Sequence, residues 1–261
     1  SIKELDNKYV ANTYARFDIE LVSGKGSKLY DDAGKEYIDM GTGIGVNIFG
    51  VGDNEWVKAV TEQLTTLQHT SNLYYTEPCA MLAKTLCERT GMKKVFFANS
   101  GAEANECAIK VARKYAYQKD SSKEYEFIAM NHSFHGRSIG ALSVTGNPKY
   151  REAFEPMIGY VKFAEMNDID SVKSQITDKT CAIFMETVQG EGGIYPAEKE
   201  FIEEISERQL LKTNDFNTGE NLYGSMSEVT FMHFEPGQQP YSFSVNTCLY
   251  CNGVFPVSNT I

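Results

Sequence analysis

The sequence predicts an α/β fold, a mostly parallel sheet covered by helices on both faces. Three observations carry that expectation. Short apolar runs, "VFFA" (95–98), "EFIAM" (126–130), "YVKFA" (160–164) and "CAIFME" (181–186), have the look of buried strands. Stretches with helical spacing separate them, the alternation of a parallel sheet. The chemically distinctive residues fall just after strands, where such sheets bind ligands.

Residues 19–40, "IELVSGKGSKLYDDAGKEYIDM", read as three short strands joined by the turns "SGKG" and "DDAG". A Gly-rich segment, "GTGIGVNIFGVG" (41–52), follows. Asp53 and Asn54 open a helix to about Gln68, with Val57, Val60, Leu64 and Leu67 on one face. A second helix starts near Glu77 and Pro78, since Pro is tolerated in a first turn, and stops at Gly91. In "KKVFFANSGAEANECAIKVARKY" (93–115) a strand runs straight into a helix whose face is Ala104, Ala108, Val111 and Tyr115. Ser100 and Glu103 form a capping box there. Two more helices are expected over 168–176 and 197–207.

A net charge of −10 argues against nucleic acid as the main partner. Small anions would need helix termini and individual Arg residues. No run nears the roughly 18 apolar residues of a membrane span, and "SIKELDNKYVANTYARF" lacks a signal-peptide core, so a cytoplasmic location is expected. The six cysteines form no framework and read as free thiols. "CLYC" (248–251) has no second pair to make a zinc site, and His132 and His135 have no acid cluster beside them, so no metal is assigned.

Three motifs carry candidate chemistry, each open to a structural reading. Ser100, Gly101 and Ala102 in "NSGAEAN" are a capped helix start, or a phosphate cradle on a helix N-terminus. It is not a Walker loop, because no Gly-Lys-Ser/Thr follows. In "NHSFHGRS" (131–138), Phe134 and Arg137 are a core aromatic and a surface cation, or a ring-stacking face and a carboxylate clamp. In "METVQGEGGIYP" (185–196), Glu186 and Glu191 are solvated acids, or orienting and charge-switching ones.

Taken together, "NSGAEANECAIKVARKY", "SFHGRSIGALSVTGNPKYREAFEP" and "ETVQGEGGIYP" resemble the class III aminotransferases, pyridoxal-phosphate enzymes of fold type I. "YDDAGKEYIDMGTGIGVNIFG" and "TSNLYYTEP" match the same family, and "FHGR" is most similar to its acetylornithine branch. The resemblance implies a small-domain segment over 1–42 and the N-terminal part of the large cofactor-binding domain over 43–207. It implies that Ser100, Gly101 and Ala102 bind the pyridoxal 5'-phosphate phosphate, that Phe134 stacks on its ring and that His135 also lines the cofactor. Glu186 would support the ring-nitrogen partner. Arg137 would take the substrate α-carboxylate and Glu191 would be the family's switch glutamate. Residues 43–47, Val46 and Asn47 among them, and residues 72–76 would line the substrate entrance, partly across a homodimer interface. The implied reaction passes the ω-amino group of N-acetylornithine, or a related amine, to 2-oxoglutarate, a step of arginine biosynthesis.

The resemblance ends near residue 207. From Arg208 onward charged residues become sparse and no period lasts, so 208–261 reads as an atypical tail, out of frame or truncated. No D-E-x-Q strand supplies the ring-nitrogen Asp, and no counterpart of the Schiff-base Lys follows. The chain as written is therefore expected to be a poor transaminase, or a non-catalytic pyridoxal-phosphate or phosphate binder.

Overall fold

The three strands expected over 19–40 form an antiparallel meander, β1 (Leu21–Lys25), β2 (Lys28–Asp31) and β3 (Glu36–Ile38). The "DDAG" turn is held by one carboxylate: Asp31 accepts from the Ala33 and Lys35 amides at 3.0 and 2.8 Å and from the Tyr37 hydroxyl at 2.9 Å. The computed structural model describes residues 1–90, 94–122, 124–206 and 229–231. It divides into two compact units, Ser1–Thr70 and Ser71–Ile261, whereas the expected boundary at 42 follows family architecture.

The first unit opens with α1 (Ile2–Tyr9), closed by a reciprocal Ser1–Glu4 capping box. After the meander, α2 (Thr42–Gly45) is a kinked turn in which Thr42, Gly43, Ile44 and Gly45 all have positive φ, between 46° and 74°. Gly adopts that region freely; the β-branched Thr42 and Ile44 adopt it under strain. The helix α3 (Asn54–Thr66) starts where expected, with Asp53 accepting from the Trp56 amide at 2.8 Å. Val57, Val60, Leu64 and Leu67 keep their spacing, yet all are exposed in this unit.

In the second unit α4 (Glu77–Thr90) and α5 (Gly101–Lys119) precede β4 (Glu126–Met130). Then come α6 (Ile139–Ser143), α7 (Pro148–Arg151), β5 (Val161–Ala164), α8 (Ile169–Gln175) and β6 (Thr180–Met185). A short hairpin, β7 (Val188–Gln189) and β8 (Tyr195–Pro196), leads to α9 (Lys199–Ser206), and β9 (Val229–Phe231) completes the sheet. The strand order is β5-β4-β6-β9, with β4 parallel to both β5 and β6 and β9 antiparallel to β6.

Alternation along β4 and β6 divides the core into two layers. Phe127, Ala129, Ala182 and Phe184 pack with Ala104, Ala108, Ile109 and Ala112 of α5. Ile128, Met130, Ile183 and Met185 pack with Val172 of α8 and with Phe201 and Ile205 of α9. Register pairs large with small, Phe127 opposite Ala182 and Ala129 opposite Phe184, so the two rings meet edge-on at 5.5 Å. Each of the buried Phe, Ile, Met and Val side chains among them contributes about 1.5–3 kcal/mol of burial free energy.

Three expectations are corrected. Residues 95–98 are half-buried but belong to no strand of the described residues. A strand needs a ladder partner, and both edges of β4 and of β6 are already taken. The buried face of α5 is also rotated from the expected one: Asn105, Ile109, Ala112 and Ala116 join Ala104 and Ala108, while Val111 and Tyr115 lie at its margin. Lastly, residues 208–261 do contribute a strand, β9, where no strand was legible. The rest of that tail, including "CLYC", and the helix stop at Gly91 lie outside the described residues.

Candidate active site

The turn into α5 is built from Ser100, which is extended and whose hydroxyl accepts from the Glu103 amide at 3.2 Å. Glu103 reaches back one residue further than a capping box does, accepting from the Asn99 amide at 2.6 Å. The amides of Ser100, Gly101 and Ala102 therefore have no acceptor among the described residues. Three orphan N–H groups at the positive end of a 19-residue helix are a ready anion site.

The loop after β4 comes down on that helix start. Gly136 has φ +134°, and a Cβ there would lie 2.8 Å from the Ala102 Cβ and 3.0 Å from the Ala141 Cβ. Only a residue without a side chain fits, and it brings the loop against the first turn of α5. The buried Asn105 donates to the His135 carbonyl at 2.8 Å, and Thr145 Oγ1 accepts from the His135 amide at 3.0 Å.

The expected site residues separate into groups. Phe134 is half-buried, with Tyr150 edge-on at 6.1 Å and the Arg137 guanidinium 5.5 Å over its ring. Arg137 itself is exposed. The His135 ring is buried and packs edge-on against Phe184 at 6.0 Å. Glu186, 5% exposed at the end of β6, accepts from the Phe134 amide at 3.1 Å and the Gly190 amide at 3.4 Å. It thus ties the Phe134 loop to the β7–β8 turn. Glu191 sits exposed in that turn, with no hydrogen bond or ion pair among the described residues. Ser100, Gly101, Ala102, Phe134, His135, Arg137 and Glu186 are accordingly parts of one framework at the helix start and strand ends.

Val46 and Asn47 belong to the first unit, where Val46 is exposed and the Asn47 amide donates to the Thr42 carbonyl at 2.7 Å. In the segment 72–76, Leu73, Tyr74 and Tyr75 are exposed. Among the described residues no group of His, Cys, Asp and Glu could hold a metal, and no helix is long and apolar enough to cross a membrane.

Sequence reasoning missed several residues that build the framework, Thr145 and Gln189 among them. Thr145 is fully buried, and its Oγ1 also donates to the Ala141 carbonyl at 3.0 Å. Gln189 is 1% exposed and donates to the Asn131 carbonyl at 2.8 Å, fixing the β7–β8 hairpin to the end of β4. Gln189 finds its partner 58 residues away and Thr145 reaches His135 across ten, so no helical or strand period marks either.

Residues 9–215 match the family model of the class-III aminotransferases. An acetylornithine aminotransferase of Clostridium acetobutylicum is 47% identical over 211 residues, 81% of this chain and 54% of that protein. N-acetylornithine aminotransferase from Stenotrophomonas maltophilia K279a superposes with a TM-score of 0.62 at 31% identity, covering 78% of this chain and 49% of that one. Ornithine aminotransferase from Toxoplasma gondii ME49 gives a TM-score of 0.73 at 23% identity over 95% of this chain and 68% of that one, a likeness of fold. The chain spans about half the length of the curated relatives it matches. Its fold is that of the pyridoxal-phosphate aminotransferases of fold type I, and the chain belongs to the class III aminotransferases.

Proposed function

We propose that this chain carries the cofactor-gripping part of an acetylornithine aminotransferase, which passes the ω-amino group of N-acetylornithine to 2-oxoglutarate. The observation that carries the reading is the seating of Gly136 on Ala102, which joins an anion-binding helix start to an aromatic and an arginine. That donor set fits pyridoxal 5'-phosphate, a dianionic phosphate on a flat ring. Bound there, the cofactor supplies the electron sink for amino transfer.

The residues of this chain bind and orient. The Ser100 hydroxyl and the amides of Gly101 and Ala102 hold the phosphate against the helix dipole. Phe134 offers its ring face to the pyridine, and Arg137 leaves that face to take the substrate α-carboxylate in a bidentate pair. Glu186 fixes the Phe134 backbone, which would keep its ring in one place for stacking. His135 keeps the loop's base in the core. Glu191, exposed and without a hydrogen bond or ion pair among the described residues, takes a cation when a neutral side chain binds and releases it for glutamate. The net charge of −10 is no obstacle, because the helix start and Arg137 neutralise these anions locally. Proton movement is assigned to no residue of this chain. Val46 and Asn47 are assigned to substrate binding in a homodimer, and the protein is assigned to the cytoplasm.

The test is a chimera in which the remaining part of the Clostridium acetobutylicum relative follows residue 207. Glutamate formed from N-acetylornithine and 2-oxoglutarate supports the reading. A folded, cofactor-loaded chimera that forms none refutes the donor assignment.

A further inference from the structure

We propose that Glu106 is a positioning residue for Arg137, a role that rests on the reading of Arg137 as the carboxylate clamp. Arg137 is a long exposed cation in a loop, and its usefulness depends on a fixed root. Both sides of that root are held. On the N-terminal side Gly136 is wedged against Ala102 and Ala141, and Thr145 takes the neighbouring His135 amide. On the C-terminal side the holder is Glu106, a half-buried carboxylate from the second turn of α5. Its Oε1 accepts from the Ser138 hydroxyl at 2.6 Å and from the Ala141 amide at 3.0 Å.

The Ala141 bond satisfies an orphan donor in the first turn of α6, which Ser138 precedes without capping through its own side chain. Glu106 does from a neighbouring helix what a cap does from within. The space for it is reserved: a Cβ on Gly140 would collide with the Glu106 carboxylate. The same helix α5 thus presents its N-terminal amides to the phosphate and, one turn on, fixes the arginine that reads the carboxylate. The distance between the two ligand anions is set by a single rigid element. Asn105, the preceding residue, donates to the His135 carbonyl and reinforces that registration.

The test uses two stable ligands that need no covalent lysine: pyridoxamine 5'-phosphate, which has no carboxylate, and the reduced phosphopyridoxyl adduct on the ω-nitrogen of N-acetylornithine, which carries the α-carboxylate at the donor's own distance. The ratio of their dissociation constants, measured on the full chain by calorimetry, isolates the carboxylate grip. Glu106→Ala should weaken the phosphopyridoxyl-acetylornithine adduct roughly tenfold, the scale of one hydrogen bond to a charged group, and leave pyridoxamine phosphate unchanged. Glu106→Gln should stay near wild type, because both bonds end on one oxygen that an amide can supply. Arg137→Ala should show the selective loss, and adding Glu106→Ala to it should cost nothing more. Should Glu106→Ala not fold, Ser138→Ala, which removes one of the two donors, carries the test with a smaller selective loss.

If Arg137→Ala leaves the ratio unchanged, the reading of Arg137 fails. If Arg137→Ala changes it and neither Glu106→Ala nor Ser138→Ala does, the positioning role of Glu106 is overturned. Equal weakening of both ligands by Glu106→Ala also overturns it, since that is the mark of a general structural role.

Discussion

Replacing Gly136 by Ala tests the junction on which the site depends. The new Cβ would lie 2.8 Å from the Ala102 Cβ, 3.0 Å from the Ala141 Cβ and 3.1 Å from the Ala102 Cα, none of which is the end of a flexible chain. Over-packing of this kind costs about 1–3 kcal/mol. The φ of +134° adds backbone strain of similar size, about 1–3 kcal/mol, for a residue with a side chain. A total near 3 kcal/mol exceeds what the loop's local bonds return, so the loop should lift from α5 rather than the sheet unfold. Amide hydrogen exchange reads this directly. The His135 amide, bonded to Thr145 Oγ1 in the native chain, should exchange about a hundredfold faster. Pyridoxamine phosphate should bind more weakly, because the loop that carries Phe134 no longer rests on the start of α5. Unchanged protection at His135 together with unchanged affinity would refute the close approach of Gly136 to Ala102.

Phe184→Ala removes a ring 1% exposed that meets Phe127 at 5.5 Å and His135 at 6.0 Å, and should lower urea stability by about 3–5 kcal/mol. A loss under about 1 kcal/mol would mean that the two-layer core is wrongly drawn. Burial alone would raise the Glu126 pKa, but hydrogen bonds from Lys162 and Thr177, both 2.6 Å, outweigh it and hold the carboxyl below its ordinary 4.5. Glu126 therefore contributes stability that is fully present above 4.5 and lost as pH falls through its lower folded value. Glu126→Gln should flatten that part of the acid limb, and an unaltered limb would contradict the assignment. Burial pushes the Cys181 thiol up to about 12. Under native conditions at pH 8, Cys181 should stay unmodified by iodoacetamide while denaturant exposes it, and rapid native labelling would count against the packing of β6.

Elements whose causes are local were legible in the sequence. The "DDAG" turn, the Asp53 cap, the start of α5 and the strands β4 and β6 stand within a residue of their expected places. What was not legible depends on partners distant in the chain. "VFFA" has the composition of a strand, but strand formation needs a free edge, and the sheet leaves none beside β4 or β6. The face of α5 turned because Asn105 is drawn inward by the His135 carbonyl, thirty residues away. Similarly, Glu186 was expected from its position after a strand, whereas its hold on the Phe134 amide bridges 52 residues and has no sequence signature. The apolar stripe of α3 shows the converse: a clear periodic signal with nothing in its own unit to cover it.

The central claim is that the start of α5 and the Phe134–Arg137 loop form a cradle for a phosphorylated pyridine. It is tested most directly by comparing pyridoxamine 5'-phosphate with pyridoxamine, amines that do not react with surface lysines as pyridoxal phosphate does. The account predicts saturable, one-to-one binding of the phosphorylated form, more than about tenfold tighter than the unphosphorylated one, from charge-assisted bonds to orphan amides. Equal affinity for the two, or no saturable binding of either, would contradict it.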